Sequence, residues 1–395
     1  MRRVAVLESG TGIGGAEINI IQIDGHLKNY GWDMLVLVPG PGLLTTELEH
    51  HHIAWRQYPA LNFHSTSFYL GHHKVLDPFA ILYDSFLIGW HARAIARILR
   101  QEQVTVLHTN SILSHLSGGL AARWSGVPCV WHMQDIVDPH SGLGLFRPLL
   151  RWLARRVPKS VVCISRAVAE QFGASETASW IRVIYNGVDT DVFTPDGPAP
   201  YQSQWRAGGF DFVVGQIGRV TPWKGQAIVI AVAECARNEG FPIRFVIIGD
   251  DGYGLPGYLS RLKSMVNAQG LEVYVTFSGW LANVPDALRS LDLLVHPTLE
   301  PEPFGLAVAE AMACGRPVIV SDHGGAQEVV GPPECGTRVP PGDVQAFWRA
   351  IRQAFFDRTA ARLQGARARE RVQLNFGLES FVEQMANVYA SAAES

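Results

Sequence analysis

The chain has 395 residues, 33 Lys and Arg against 36 Asp and Glu, a net charge of −3 and 47% hydrophobic residues. That length suits two domains of about 200 residues, each large enough for its own closed core. The near-neutral charge excludes the basic footprint of general nucleic-acid binding, and abundant Leu, Ile and Val exclude a disordered chain.

No apolar run reaches the roughly 18–20 residues that span a bilayer. The run opened by Met1-Arg2-Arg3 stops at Glu8 and does not read as a signal peptide. Cys129, Cys163, Cys235, Cys314 and Cys335 form no C-x-x-C pair. They read as reduced thiols of a cytoplasmic protein rather than a disulfide framework or a metal site.

In chain order, Val4–Leu7, Met34–Val38, Val104–His108, Val127–Trp131 and Val161–Ile164 read as buried strands. Helical patterns at Glu17–Tyr30 and Gly89–Gln101 separate several of them. Apolar strands without polar alternation, spaced by helices, predict a doubly wound parallel sheet. The pattern breaks over 186–210, where Pro195, Pro198 and Pro200 suggest an interdomain linker. It resumes with strands at Phe212–Ile217, Phe245–Gly249, Val273–Ser278, Leu293–His296 and Pro317–Val320. Helices are expected over Lys224–Glu239, Pro256–Gln269, Gly305–Cys314 and Val344–Phe355, and a last helical pattern runs from Phe376 through Tyr389. The expected division is 1–190, a linker over 191–210, 211–372, and a tail over 373–395. Both domains are α/β, and the loops at the carboxyl ends of their strands are where ligands are expected.

The first such loop, Glu8 to Glu17, contains Gly10, Gly12 and Gly15 in a G-x-G-x-x-G pattern that opens a helix. A dinucleotide site would also want an acid after the second strand, and Val38-Pro39-Gly40 has none there. A structural turn or a loop bordering a substrate site remains. In the second half, Gly218-Arg219 and Lys224-Gly225 bring two cations to a strand end, where they could clamp a diphosphate. Two solvated charges would look the same. The segment from His296 to Met312 holds Glu302 and Glu310 around Phe304-Gly305. Pro303 and Gly305 predict that a loop ends and a helix begins near Phe304, with Glu310 two turns in, on the order of 9 Å away. A nucleotide sugar fits that layout: sugar at Glu302, diphosphate at the helix amides, ribose at Glu310. Glu300 is a nearby alternative acid, and the spacing selects Glu302.

Glu302-x7-Glu310, Gly218-Arg219 with Lys224-Gly225, Asn186-Gly187-Val188-Asp189 and Gly14-Gly15-Ala16-Glu17 together resemble the retaining glycosyltransferases of family 4, the glycosyl transferases group 1. The resemblance covers nearly the whole chain. It implies the GT-B fold, two Rossmann-like domains facing across a cleft. It also implies metal-independent, cofactor-free transfer of sugar from a nucleoside diphosphate sugar with retention at the anomeric carbon. Carried over, Arg219 and Lys224 would stabilise the leaving diphosphate, and Glu302 would hold donor-sugar hydroxyls. The amides of Phe304, Gly305 and Leu306 would reach sugar or phosphate, Glu310 the ribose, and Gly15 the donor–acceptor junction. His132 resembles the family's histidine that contacts the donor sugar. The tail would return to the first domain.

Acceptors of the family lie against the first domain, which makes Gly14, Asn110 and Ser111 candidate acceptor contacts. The aromatic-rich stretch Tyr58–Trp90 (Phe63, Phe68, Tyr69, Phe79, Tyr83, Phe86, Trp90, with His72-His73) suits either ring stacking on an acceptor or a partly buried lid. Arg147, Arg151 and Arg155, with Arg156 and Lys159, read as a basic amphipathic helix, either an ordinary surface or a peripheral contact with an anionic membrane. The partners implied are a nucleotide sugar and a glycan, lipid-linked or small-molecule acceptor, on the cytoplasmic side. A GT-B epimerase or hydrolase, or a non-catalytic sugar-nucleotide binder, are the rival readings.

Overall fold

The computed structural model describes residues 1–60, 67–70, 73–76, 78–138, 144–173, 179–252 and 255–394. Phe63 and His72 of the aromatic-rich stretch lie outside the described residues. The chain divides into two compact units, Met1–Gly187 with Glu379–Ser395, and Val188–Leu378.

The first unit opens with strand β1 (Arg2–Leu7), helix α1 (Gly15–Leu27), β2 (Trp32–Val38), α2 (Leu43–His50) and β3 (Ala54–Gln57). An antiparallel pair, β4 (Ser67–Leu70) and β5 (His73–Leu76), precedes the long α3 (Pro78–Gln101). Then come β6 (Val106–Thr109), α4 (Ile112–Ser125), β7 (Cys129–Met133), α5 (Phe146–Ala154), β8 (Ser160–Cys163), α6 (Arg166–Glu170) and β9 (Ile181–Val183). The sheet order is β3-β2-β1-β6-β7-β8-β9, with every pair parallel. Strands β6 and β7 are buried along their length, β1 from Val4 and β2 from Met34 onward, which is why they read as continuous apolar runs rather than alternating ones.

The second unit contains α7 (Gln202–Trp205), β10 (Phe212–Ile217), α8 (Gln226–Asn238), β11 (Ile243–Ile248), α9 (Tyr258–Ala268), β12 (Val275–Gly279) and α10 (Val284–Arg289). It continues with β13 (Leu293–His296), α11 (Leu306–Ala313), β14 (Val318–Ser321), α12 (Gly324–Val330), β15 (Thr337–Val339), α13 (Val344–Phe356) and α14 (Arg358–Asn375). Its sheet order, β12-β11-β10-β13-β14-β15, is again all parallel. Its core joins Phe245, Ile247 and Leu293 of the sheet to Ile230, Leu262, Phe347 and Trp348 of the helices. Two Rossmann-like parallel sheets flanked by helices are the α/β architecture expected from the sequence.

Helix α15 (Leu378–Glu394) closes the chain and packs into the first unit. Phe381, Met385 and Tyr389 are buried, and the Tyr389 hydroxyl lies 2.6 Å from Nδ1 of His108. The hydrogen bonds of Glu379 to His26 (3.0 Å) and Tyr30 (2.8 Å) fix its first turn.

Three local expectations change. The Pro- and Gly-rich stretch 191–210 belongs to the second unit: Phe193 and Trp205 are buried, and Arg289 donates to the carbonyls of Thr194 and Pro198. The expected helix through Arg147–Lys159 ends at Ala154, with Pro158 close behind, so Arg155, Arg156 and Lys159 lie past its end. Helix α3 begins eleven residues before Gly89, which sits inside it against the Trp124 ring. No helix among the described residues is long and apolar enough to cross a membrane.

Candidate functional site

In the second unit, β10 and β13 are sheet neighbours but first and fourth in chain order. Connections leaving them diverge, and the crevice at that switch point is where open α/β sheets bind ligands. The Arg219–Gly225 loop follows β10, and the Pro297–Gly305 loop follows β13.

These two loops are locked together. Lys224 Nζ lies 2.6 Å from Glu302 Oε2, and His296 Nε2, at the end of β13, lies 3.2 Å from the same oxygen. The Leu299 backbone amide donates to the Trp223 carbonyl over 2.7 Å, and the Gln216 side-chain amide donates to the Lys224 carbonyl over 2.6 Å. Gly225 has φ +74°, and a Cβ there would overlap the Pro297 carbonyl oxygen, so only glycine permits this approach. From the far side, Gly324 at the start of α12 has φ +65°, and a Cβ there would meet the Glu302 backbone. The next amide, Gly325, donates to the Glu302 carbonyl over 2.6 Å.

Burial pushes the Glu302 carboxyl up, but the Lys224 ammonium and the hydrogen bonds from His296 and Lys224 outweigh it and bring it down to about 2. Glu302 is therefore a fixed anion. Lys224 also sits 4.3 Å from the Trp223 ring centroid. Arg219 is exposed, and its guanidinium has no partner among the described residues. Its charge is left unneutralised at the end of β10. Glu300 is exposed and pairs with nothing described.

Helix α11 starts after Gly305, so the Gly305 and Leu306 amides belong to a first turn without intrahelical acceptors. Phe304 is buried, its ring 5.9 Å from that of Phe376. Glu310 projects from the second turn with no hydrogen-bond or ion-pair partner among the described residues. Part of its surface stays accessible, but burial pushes its carboxyl up to about 8. An unpartnered acid beside free amides can hold hydroxyls and phosphate oxygens respectively.

In the first unit the switch point lies between β1 and β6. Glu8, just past β1, is buried and accepts a 2.9 Å hydrogen bond from Asn110, just past β6. Asn110 in turn accepts from Gln134 over 3.1 Å, and Gln134 lies 3.2 Å from Nδ1 of His132. The Ser111 hydroxyl donates to Ser9 over 2.8 Å. Burial first, and the Glu17 carboxylate second, push the Glu8 carboxyl up to about 8 against the lowering effect of Asn110. His132 is held well below the usual range by burial and by His108 and His115, so its imidazole is neutral. Gly14 and Gly15 open α1, where the Glu17 carboxylate accepts the Gly14 amide over 2.7 Å.

The structure thus gathers Arg219, Lys224, Glu302, Phe304, Gly305, Leu306 and Glu310 at one edge of the second sheet. Gly14, Gly15, Asn110, Ser111 and His132 lie at the corresponding edge of the first. Glu8, His296, Gly324 and Gly325 were not singled out by sequence. An acid that ends the apolar run of β1 was the available signal for Glu8. Among the basic residues around α5, Arg151 donates to the Gln171 carbonyl, Arg155 covers Trp180 and Arg156 covers Trp152.

The chain matches the family described as Glycosyltransferase Family 4 over residues 13–192 and that described as Glycosyl transferases group 1 over 202–371. It is 32% identical over 293 residues to the lipopolysaccharide core biosynthesis mannosyltransferase LpsB of Rhizobium meliloti, covering 68% of this chain and 81% of that one. It is 27% identical over 313 residues to the alpha-maltose-1-phosphate synthase of Mycolicibacterium smegmatis, covering 73% of this chain and 79% of that one. The crystal structure of Anabaena HepE in complex with UDP and glucose superposes with a TM-score of 0.82 at 26% identity, covering 99% of this chain and 100% of that one. Taken with the two parallel sheets and the loops at their switch points, these matches place the chain in glycosyltransferase family 4, as a hexosyltransferase-type enzyme of GT-B fold.

Proposed function

We propose that this enzyme moves a hexose from a nucleoside diphosphate sugar to an acceptor hydroxyl, with retention at the anomeric carbon and without a metal ion. The observation that carries the reading is the pairing pattern at the second switch point. Lys224 is tied to Glu302, while Arg219 stays unpaired after β10, the sheet neighbour of the strand whose following loop leads into α11. Those groups supply the positive charge that a departing diphosphate needs as the C1–O bond breaks. Glu302, an anion held in place, accepts hydrogen bonds from the donor sugar, and Glu310 accepts them from the ribose. In a front-face displacement the acceptor oxygen bonds to C1 while its proton passes to the leaving phosphate oxygen, so no carboxylate acts as nucleophile.

Support for the donor class comes from HepE, whose crystal structures hold UDP with glucose and UDP-glucose. The acceptor groups are assigned to the first unit, where Asn110, Ser111 and Gly14 offer uncharged hydrogen-bonding partners suited to hydroxyls. The acceptor is a glycan, a lipid-linked glycan or a small molecule. The five cysteines are unpaired, which suits the reducing cytoplasm.

The test is product stereochemistry by NMR with a panel of UDP-, GDP-, ADP- and TDP-hexoses, run with excess EDTA. The expected product keeps the donor's anomeric configuration at undiminished rate. An inverted product, or activity lost to EDTA and restored by a divalent cation, overturns the reading. Donor consumption without any acceptor product would move the chain to the epimerase or hydrolase class.

A further inference from the structure

Helix α3 carries an uncovered apolar stripe. Leu82, Phe86 and Trp90 recur every four residues on one face and are 71%, 66% and 57% exposed. Large side chains so exposed in a row are uncommon on a soluble surface and mark a contact site. The neighbouring helix extends the stripe: Trp124 and Leu120 of α4 are also exposed, and the Trp124 ring reaches to within 4.0 Å of where a Gly89 Cβ would be.

The same stripe continues into cations. Arg93 lies over the Trp124 ring at 5.4 Å, Arg100 donates to the Trp124 carbonyl, and Arg97 and Arg123 are exposed. Across both helices the one acidic residue is Asp84, which is buried. The outward face is therefore aromatic at one end and uniformly positive at the other. Successive parallel crossovers from β6 to β8 share one handedness, which puts α5 on the sheet face of α4. There Leu149 and Trp152 are exposed, with Arg156 over Trp152 at 4.5 Å.

We propose that this α3–α4 face, with α5 beside it, docks on an anionic lipid bilayer. Leu82, Phe86, Trp90 and Trp124 enter the headgroup–acyl boundary, and the arginines meet lipid phosphates. Trp and Phe partition to that boundary, and Arg carries its stem through apolar surroundings while its head stays with phosphate. A second copy of the chain is the poorer occupant. The exposed charges of this face are all arginines, so a two-fold contact would gain no charge pairing across it, whereas lipid phosphates complement them. The inference concerns where the enzyme works and does not rest on the stereochemistry or metal independence proposed above.

The experiment is sedimentation of the full chain with vesicles of phosphatidylcholine alone and of phosphatidylcholine with about one-third phosphatidylglycerol. Binding is expected to the anionic vesicles and to fall as salt rises. The double variant Phe86→Glu/Trp90→Glu should bind at least about tenfold more weakly, with unchanged Tm. Arg97→Gln/Arg123→Gln should weaken binding and flatten its salt dependence. Equal binding to neutral and anionic vesicles, or wild-type binding by the Phe86/Trp90 variant, overturns the proposal. So does loss of binding on Trp152→Glu/Arg156→Gln alone, which would confine the contact to α5. A dimer seen by light scattering that Phe86→Glu/Trp90→Glu dissolves, without vesicle binding, assigns the face to a second copy instead.

Discussion

Lys224 Nζ lies 2.6 Å from Glu302 Oε2, joining two loops 78 residues apart through a nearly buried ion pair. Removing one partner leaves the other charged and desolvated. Lys224→Ala should therefore cost about 3–5 kcal/mol of stability at neutral pH. The double variant Lys224→Ala/Glu302→Gln should lose less than the sum of the single losses, because the uncompensated anion is gone. Urea unfolding of the four proteins checks this, and additive losses would mean the pair does not couple the loops.

The same carboxyl sets an acid limit. Its folded-state value is lowered from 4.5 to about 2, so its ionised form favours folding. That contribution is complete above about 4.5 and disappears as pH falls through about 2. Glu302→Gln lacks this acid-dependent component. The Tm gap between wild type and variant should shrink as pH falls from 5 toward 2, by about 2–4 °C for each kcal/mol lost. A gap that stays constant with pH would contradict the ionised assignment.

Glu8 behaves in the opposite sense. Its carboxyl is raised from 4.5 to about 8, so folding favours the protonated form. The stability this gives is complete below about 4.5 and is lost as pH rises through about 8. Glu8→Gln keeps a neutral group of the same shape and avoids that loss. Thermal melts should show the variant gaining on wild type as pH rises from 5 to 9, with equal melting behaviour at the acid end. A wild type whose advantage grows with pH would mean that Glu8 is ionised.

Glu310 separates hydrogen bonding from charge in donor binding. At neutral pH its carboxyl is largely protonated, given its value near 8. Glu310→Gln should therefore hold the nucleotide within about threefold, whereas Glu310→Ala should lose about tenfold, the cost of an unmade hydrogen bond. Calorimetry with the preferred nucleoside diphosphate at pH 7 distinguishes the two, and equal affinity in both variants would remove Glu310 from the ribose site.

Gly225→Ala tests the close approach of the loops. The new methyl meets the Pro297 carbonyl oxygen, and the backbone at φ +74° disfavours any side chain. A loss of about 2 kcal/mol or more is expected, with turnover falling because Lys224 and Glu302 are displaced together. Wild-type melting and turnover would show that the loop moves aside freely.

The candidate residues of the second unit stood out in the sequence because cations, acids and helix signals fall within short stretches: Arg219 to Lys224, and Glu302 to Glu310. Their partnership was not. Lys224 meets Glu302 because β13 lies beside β10 in the sheet, an adjacency that no local spacing encodes. The role of His296 was hidden because the loop after β13 turns back to set Glu302 against the strand's last residue, six positions earlier, and spacing alone does not show that turn. Gly324 and Gly325 act by leaving room for a distant backbone, which composition cannot reveal. Strands β9 and β15 have three residues each and carry too little pattern to read. Helix α14 buries only Gly365, Ala368 and Val372 of its 18 residues, so its apolar stripe is nearly invisible in sequence.

Helix α15 gives the first unit a dependence on the order of synthesis. Phe381, Met385 and Tyr389, which help fill that unit's core, are the last part of it to leave the ribosome. The whole second unit, Val188–Leu378, is translated in between. At about 5–20 residues per second, a nascent chain holds this sheet with an uncovered apolar face for about 10–40 s. Chaperone demand during that interval should track the length of the second unit, and a stop codon before Glu379 would strand the N-terminal half in the form that aggregates.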